Sequence, residues 1–319
     1  MINSKVIFFG TSEFAIPTLV TLVKEDYEIV AVITTPDEPV GRKQVLTPPP
    51  VKVIAEKFGL KIFQPQKLNG DKKLVSCLVS LEPDIGIIAS YGKIIPSKIL
   101  DLSKRGFLNI HPSLLPKYRG PSPIQYALLN GEKETGVTIM KIDEQVDHGP
   151  ILAIENLKLK IENLKYMELH DELAKMGAEL LIKILPGYLA GKIRPVEQDH
   201  DKATFTKIIK KEDGRIDWHK TAQEIYNQFR AFHFWPGIWT SWQGRVLKIT
   251  DCKISTEQPY HGHDEEYVAQ VYNEDGITFV PCSQGHIQIL RLQLEGSKEM
   301  SITNFLSGHR DFMGSKLDN

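Results

Sequence analysis

The amino-terminal third of the chain carries the pattern that most restricts its fold, namely continuous apolar runs separated by helical lengths of chain. Residues 5–10 (KVIFFG) and 29–34 (IVAVIT) are apolar almost throughout, which is typical of strands buried on both faces of a parallel sheet. Thr11 or Ser12 can cap a helix between them, so the chain is predicted to open as a β-α-β unit. The turn has one glycine and no G-x-G-x-x-G pattern, which disfavours a dinucleotide site.

Strands and helices continue to alternate up to residue 193. Further strands are predicted at residues 61–64, 84–90, 107–110, 136–142 and 151–159. Helices are predicted at residues 51–58, 71–81 and 167–189. This alternation predicts an α/β domain built on a mostly parallel sheet over residues 1–193. The polar stretch at residues 194–206 contains helix and strand breakers and is predicted to be a linker.

After the linker the pattern changes to short strands with turn signals between them. Strands are predicted at residues 237–242, 245–252, 268–273, 276–281 and 286–294, after one helix at residues 222–231. This pattern predicts a small β-barrel domain at residues 207–319, of which the oligonucleotide-binding fold is one member. The domain has 13 Lys and Arg against 15 Asp and Glu, so it is not a basic nucleic-acid module as a whole.

The residues with the clearest chemical potential lie in the stretch 107–125, FLNIHPSLLPKYRGPSPIQ. Asn109 and His111 are two apart on a predicted strand, so both side chains point to one face. Pro112 ends that strand and leaves His111 at its carboxyl end, where open α/β sheets place their reactive groups. An Asn-x-His pair also occurs as two buried polar groups bonded to backbone. The proline-rich loop that follows favours a ligand site instead.

Two other segments allow two interpretations each. Asp147 lies in a Gly/Pro-bounded turn and is either a turn former or a partner that orients His111 and favours its charged form. Residues 34–50 form a long proline-rich loop carrying Arg42 and Lys43. This loop is either a solvated surface loop or a mobile arm that contacts phosphate.

Composition excludes several classes of protein. A formal net charge of −1 gives no global field that would recruit a polyanion. Three widely spaced cysteines form neither a disulfide framework nor a zinc set, which fits a reducing cytoplasm. No apolar run reaches the ~18 residues of a membrane span, and the first ten residues predict a strand and not a signal peptide.

Some isolated motifs carry less weight. His261-x-His263 with Asp264 lacks further ligands at a usable spacing, so no metal site is predicted. Trp235 and its neighbours at residues 239 and 242 suit either a barrel core or a base-stacking platform. No nucleophile elbow and no phosphate-binding loop of the G-x-x-x-x-G-K-[ST] type is present in the sequence.

Several motifs together resemble one enzyme family over nearly the full length. They are VIFFGTSEFA near the start, SYGKIIP from residue 90, NIHPSLLPKYRGPSPIQ from residue 109, DHGP from residue 147, KIIKKEDGRIDW from residue 207, RAFHFWPG from residue 230 and ILRLQLEGSKEMSITNFL near the end. With these motifs the chain resembles the methionyl-tRNA formyltransferase family. The central motif is shared by several 10-formyltetrahydrofolate-dependent formyltransferases, whereas the carboxy-terminal motifs indicate the tRNA enzyme.

The resemblance implies a Rossmann-like catalytic domain followed by a β-barrel that helps to hold tRNA. It implies formyl transfer from 10-formyltetrahydrofolate to the α-amino group of initiator methionyl-tRNA, with no metal. Asn109, His111 and Asp147 would be catalytic, because an amine attacking a formyl carbon creates an oxyanion that needs fixed donors. The implied folate-site residues are Ser113, Leu114, Leu115, Pro116, Ile88, Ser90, Tyr91 and Gly92. The implied tRNA contacts are Arg42, Lys43, Lys207, Lys210 and Lys211, although related loops are often more basic after residue 43.

Three functional hypotheses stay open at this point. The first is the tRNA formyltransferase, expected to be a cytoplasmic monomer. The second keeps the chemistry but takes an amino-sugar nucleotide or another small amine as acceptor, in which case deleting the half after residue 206 would leave activity intact. The third is a non-enzymatic RNA-binding protein, which would bind tRNA without any effect of folate.

Overall fold

The computed structural model describes residues 4–41, 43–157, 161–255 and 265–318, which form two compact units. The first unit comprises Met1–Pro123, Glu134–Leu159 and His170–Lys207. The second comprises Ile124–Lys133, Lys160–Leu169 and Ile208–Asn319. Two short segments that lie between stretches of the first unit in the sequence therefore belong to the second unit.

The first unit is built on a seven-stranded sheet. The unit has nine described strands, seven of them in this sheet: β1 (Lys5–Gly10), β2 (Glu28–Ile33), β3 (Glu38–Val40), β4 (Val45–Thr47), β5 (Ile62–Phe63), β6 (Ile85–Ala89), β7 (Phe107–His111), β8 (Gly136–Lys141) and β9 (Ile151–Asn156). The sheet order is β5-β2-β1-β6-β7-β8-β9, whereas β3 and β4 pair only with each other. All neighbours up to β7 are parallel, and β8 runs antiparallel to both β7 and β9.

Helices alternate with the strands of the first unit and continue into the second. They are α1 (Ile16–Lys24), α2 (Pro50–Lys57), α3 (Lys72–Ser80), α4 (Ser97–Leu100), α5 (Pro123–Leu129), α6 (Tyr166–Leu189), α7 (Ala222–Phe232) and α8 (Ile302–Gly308). Their ends follow local chemistry: α3 begins after Asp71, whose carboxylate accepts a hydrogen bond from the Leu74 amide at 2.9 Å. No helix in the described part of the chain combines the length and apolarity needed to cross a membrane.

Packing on one face of the first sheet sets the direction of the side chains of β7. Phe107 packs with Phe9 and Ile88 in the core cluster that α3 covers. The Phe107 ring occupies the place of a side chain at Gly86, where an added Cβ would lie 2.1 Å from Cδ1 of the ring. Because side chains alternate along a strand, Asn109 and the residue two positions further point to this same face.

The second unit is a six-stranded antiparallel sheet that closes into a small barrel. Its strands are β10 (Ile238–Trp242), β11 (Arg245–Ile254), β12 (Tyr272–Glu274), β13 (Ile277–Pro281), β14 (His286–Leu294) and β15 (Met300–Ser301). The order is β10-β11-β14-β13-β12, with β15 on β14. The chain end closes the sheet, because the Asp318 amide donates to Ser241 O at 3.0 Å and the Leu317 amide donates to Ala269 O at 2.8 Å.

The predicted fold class is confirmed, whereas two local predictions need correction. The loop predicted at residues 34–50 contains the hairpin of β3 and β4, whose residues are all exposed and so lack the burial alternation that marks a strand. The strand predicted at residues 268–273 is confined to Tyr272–Glu274, because the residues before it pair with the chain end. Helix α6 ends at Leu189 as predicted, with Pro186 inside its last turn.

Candidate active site

The candidate site lies where β1, β6 and β7 end in the first unit. Their carboxyl ends share one edge of the sheet, and the strand order reverses between β1 and β6. Open α/β sheets bind ligands at such switch points. Hydrogen bonds join the two ends: the Thr11 amide donates to Ser90 O at 3.1 Å, and Ser12 Oγ donates to Ser90 Oγ at 2.7 Å.

The structure brings the three polar side chains proposed from the sequence together. His111 is the last residue of β7, and its Nδ1 lies 3.6 Å from Asp147 Oδ2. Asn109 Nδ2 lies 3.5 Å from Asp147 Oδ1. His111 is buried, whereas Asn109 is partly exposed. Asp147 is also partly exposed, so Asn109 and Asp147 are the members of this cluster that a ligand can reach.

A backbone carbonyl determines which nitrogen of His111 carries a proton. His111 Nε2 lies 2.9 Å from Tyr118 O. Because a carbonyl only accepts hydrogen bonds, the proton of the neutral imidazole is on Nε2. In the neutral ring Nδ1 then carries no proton, and it is the nitrogen on the side of Asp147.

One hydrogen bond and the backbone conformations at Asp147 and Gly120 fix the position of the Asp147 carboxylate. The carboxylate accepts a hydrogen bond from the Gly120 amide at 2.7 Å. The Asp147 backbone has φ of 49°, a left-handed conformation that aspartate tolerates better than most residues. Gly120 has φ of +106°, and an added Cβ would lie 2.8 Å from Thr206 Oγ1 and 2.9 Å from Thr206 O. Glycine at this position therefore lets the loop approach both Thr206 and the carboxylate.

The loop after β7 is held by Thr138 of β8, which lies opposite His111 in the sheet. Thr138 Oγ1 donates to Ser113 O at 2.7 Å and accepts from the Leu115 amide at 3.1 Å. The Ser113 hydroxyl donates to Lys117 O at 2.7 Å, so this side chain is already occupied within the loop. Of the four residues assigned to the folate site here, Ser113 and Leu115 are buried, whereas Leu114 and Pro116 are partly exposed.

The turn after β6 supplies the other four residues assigned to the folate site. Ile88 is buried beside Asn109 in the paired strand, and Ser90 and Gly92 are exposed with positive φ. Tyr91 is 3% exposed, and its ring lies edge-on to Phe9 at 5.2 Å. Its hydroxyl has no hydrogen-bond partner among the described residues. Burial raises the pKa of Tyr91 to about 12.

Replacing Tyr91 by phenylalanine is expected to change the alkaline stability of the protein. The pKa is about 10 in the unfolded chain and about 12 in the folded one, so the folded state holds the phenol proton more tightly. The contribution of the Tyr91 phenol to stability is therefore fully present below pH 10 and is lost as the pH rises from 10 through 12. Urea unfolding should give Tyr91→Phe a free energy of unfolding at least equal to wild type at pH 8 and about 1 kcal/mol higher at pH 11. Identical pH dependence in both proteins would contradict this.

The residues proposed for tRNA contact are dispersed. Arg42 lies outside the described residues, and Lys43 is exposed in the turn between β3 and β4. The Asp37 carboxylate holds the base of this hairpin through Gln64 Nε2 at 2.7 Å and Lys52 Nζ at 2.8 Å, and these bonds hold the pKa of Asp37 below its usual range. The other three are exposed: Lys207 in the first unit, and Lys210 and Lys211 in the second.

Of two weaker sequence motifs, the structure describes only the one with the tryptophans. His261, His263 and Asp264 lie outside the described residues, and no cluster of potential metal ligands occurs among the described ones. Trp242 is buried in the barrel core against Phe305 and Phe312, whereas Trp235 is about half exposed.

The sequence patterns did not predict the residues that hold the Asp147 turn and the site loop by hydrogen bonds. Residues 194–206, assigned to a linker, run along the site loop: the Tyr118 amide donates to Thr204 Oγ1 at 2.8 Å, and the Arg119 amide donates to Thr204 O at 2.9 Å. Gln198 from the same segment donates to Asp147 O at 2.9 Å. No local pattern marks these residues, because their partners are about 50 to 86 positions away in the chain.

Two family models match the chain. The formyl transferase model matches residues 4–185, and the model of the formyl transferase C-terminal domain matches residues 208–310. A methionyl-tRNA formyltransferase of Caldicellulosiruptor saccharolyticus is 42% identical over 313 residues, with 98% of this chain and 99% of the relative covered. One of Bacillus cereus is 40% identical over 315 residues, with 98% of each chain covered.

Solved structures share the fold at low sequence identity. An N-formyltransferase from Helicobacter canadensis, in complex with folinic acid and dTDP-3-aminofucose, gives a TM-score of 0.65 at 20% identity and covers 94% of this chain and 100% of that chain. HypX from Aquifex aeolicus, in complex with tetrahydrofolic acid, gives 0.63 at 16% identity, with 95% of this chain and 47% of that chain covered. The chain thus spans about half the length of HypX. These likenesses show the formyltransferase fold.

Proposed function

The chain belongs to the methionyl-tRNA formyltransferase family, and we propose that it transfers a formyl group from 10-formyltetrahydrofolate to the α-amino group of initiator methionyl-tRNA. The observation that carries this proposal is the convergence of Asn109, His111 and Asp147 at the carboxyl end of β7. An amide donor, an imidazole and a carboxylate in one place are the groups that formyl transfer requires.

The proposed reaction assigns one task to each of the three side chains. The amine nitrogen forms a bond to the formyl carbon, and the formyl oxygen becomes an oxyanion. Asn109 Nδ2 and the protonated Nδ1 of His111 donate to this oxyanion, because Nε2 is already occupied by Tyr118 O. Asp147 accepts the proton of the amine. The intermediate then collapses, the bond between the formyl carbon and N10 of the folate breaks, and N10 takes up the proton that Asp147 accepted from the amine.

The folate donor is proposed to bind between the loop after β7 and the turn after β6. Leu114 and Pro116 offer partly exposed apolar surface, whereas Ser113 and Leu115 shape the loop from inside. The turn after β6 adds exposed backbone at residues 90 and 92, beside the buried Ile88 and Tyr91. An aromatic pteridine fits a site of this kind, which has apolar walls and a few fixed polar groups.

Acceptor binding is proposed to use both units. Residues 1–193 would carry catalysis, residues 194–206 would lead into the second domain, and the barrel at residues 207–319 would help to hold tRNA. Arg42, Lys43 and Lys207 would contact phosphate, as would Lys210 and Lys211. Affinity for tRNA should then fall steeply as salt rises. A cytoplasmic monomer remains our prediction, in keeping with three free cysteines.

The proposal is tested by incubating the protein with 10-formyltetrahydrofolate and an equimolar mixture of possible acceptors. The acceptors are charged initiator tRNA, charged elongator methionyl-tRNA and a dTDP-amino sugar. Formylmethionine on the initiator tRNA is the expected product. Transfer only to the amino sugar would favour the small-acceptor alternative, and binding of tRNA without any transfer would favour a non-enzymatic role.

A further inference from the structure

Gln198 occupies the centre of a buried hydrogen-bond network beside Asp147. The residue is 6% exposed. Its Nε2 donates to Asp147 O at 2.9 Å and to Gly149 O at 2.8 Å. Its Oε1 accepts from Arg119 Nε at 3.1 Å and from Arg119 Nη2 at 2.7 Å. One carboxamide therefore joins the turn that carries Asp147 to a buried guanidinium.

The chemistry of these partners fixes the orientation of the carboxamide. Both hydrogens on Nε2 are directed at carbonyl oxygens, and both lone-pair positions of Oε1 are directed at guanidinium N–H groups. Reversing the amide would place donors against donors and acceptors against acceptors. Glutamine is thus the one neutral side chain of this length that satisfies all four bonds.

The buried guanidinium of Arg119 has Gln198 as its main hydrogen-bond acceptor. Arg119 is 3% exposed, its Nη2 also lies 2.8 Å from His200 Nδ1, and its guanidinium lies 6.0 Å from the ring centre of Phe205. No carboxylate in the described ranges forms an ion pair with it. Arg119 is also the residue before Gly120, whose amide binds the Asp147 carboxylate. Gln198 therefore holds the backbone of Asp147, and Gly120, the residue after Arg119, holds its carboxylate.

We propose that Gln198 is a positioning residue for the proposed formyl transfer, holding the left-handed Asp147 turn so that its carboxylate faces His111 and Asn109. This inference rests on the proposed function for the role of Asp147. Without the Nε2 bonds the turn can relax, and the carboxylate then moves away from Gly120 and from the amine. A displacement of about 1 Å at a reacting group lowers turnover by about 10²-fold.

Gln198→Glu separates this role from a merely structural one. The variant keeps a full set of acceptors for Arg119 but places an oxygen against the carbonyls of Asp147 and Gly149. If Gln198 served only to satisfy Arg119, the variant would fold and turn over like wild type. We expect kcat to fall about 30-fold, KM for both substrates to change less than threefold, and the melting temperature to stay within a few degrees. Gln270→Glu, the same change at a glutamine that donates to Gly314 O in the second unit, is the matched control and should be unaffected.

A double-mutant cycle tests whether Gln198 acts through Asp147. In an Asp147→Asn background, Gln198→Glu should lower kcat less than threefold further. A second 30-fold loss in that background, or wild-type kcat in the single variant, would overturn the proposal. Gln198→Met cannot accept the two hydrogen bonds of Arg119. Its melting temperature shows whether the loss of these bonds destabilises the fold.

A crystal structure of Gln198→Glu keeps the test independent of the acceptor. The hydrogen bond between the Gly120 amide and Asp147 Oδ2, 2.7 Å in wild type, should lengthen beyond hydrogen-bond distance. An unchanged Asp147 turn would overturn the positioning role. Wild-type protein that formylates no methionyl-tRNA would instead overturn the proposed function, whatever the structure of the variant shows.

Discussion

Replacing His111 by glutamine is expected to lower kcat/KM for formyl transfer by about 10³-fold while the protein stays folded. A glutamine side chain reaches the position of Nε2 and can donate to Tyr118 O, which His111 holds at 2.9 Å. It offers no proton at the position of Nδ1 and carries no charge there. Loss of one fixed donor to an oxyanion costs about 10² to 10³ in turnover, and loss of the nearby positive charge adds to this.

His111→Asn supplies the complementary control. An asparagine amide reaches the position of Nδ1 but loses the buried hydrogen bond that His111 makes to the carbonyl of Tyr118. We expect this variant to retain more activity than His111→Gln and to be less stable by about 1–2 kcal/mol in urea unfolding. Single-turnover formylation and unfolding curves of the two variants measure both effects. Activity of His111→Gln within tenfold of wild type would contradict the assignment of Nδ1.

Local patterns predicted the part of the site that one strand provides. Alternation along β7 places Asn109 and His111 on one face, and the proline that follows ends the strand beside the switch point. The same pattern says nothing of distance to Asp147, which is 36 positions beyond His111 in a turn after β8. That proximity depends on β8 pairing antiparallel with β7, a long-range contact that no local periodicity encodes.

Residues that only support the site were missed for a related reason. Gln198 and Thr206 lie in a polar segment without apolar periodicity, which indicates a linker when only local sequence is considered. Gln198 donates to the backbone of residue 147 and Thr206 to that of residue 119, and backbone partners leave no trace in residue types. In the barrel, closure by residues 314–318 was missed similarly, because this short tail has no strand pattern of its own.

Asp147→Asn is expected to lower kcat by about 10³-fold, an effect comparable to that of His111→Gln. The amide keeps the size of the carboxylate, and its oxygen can still accept the hydrogen bond of the Gly120 amide, so the turn should stay folded. It cannot accept a proton from the attacking amine, and it removes the negative charge 3.6 Å from His111 Nδ1. Both losses act on the transition state more than on substrate binding, so KM should change little.

Asp143→Asn is the matched control for this substitution. Asp143 is on the same turn and also faces an imidazole, because its Oδ2 lies 2.6 Å from His148 Nδ1. Its carboxylate bonds to the Gln145 amide and to His148, away from Asn109 and His111, and its side chain is about one-third exposed. Removing this charge should change kcat less than threefold, since the proposed reaction takes place beside Asp147 and not beside Asp143. Equal losses in the two variants would mean that the net charge of the turn matters and not a proton acceptor at Asp147, and the proposed chemistry would then be wrong.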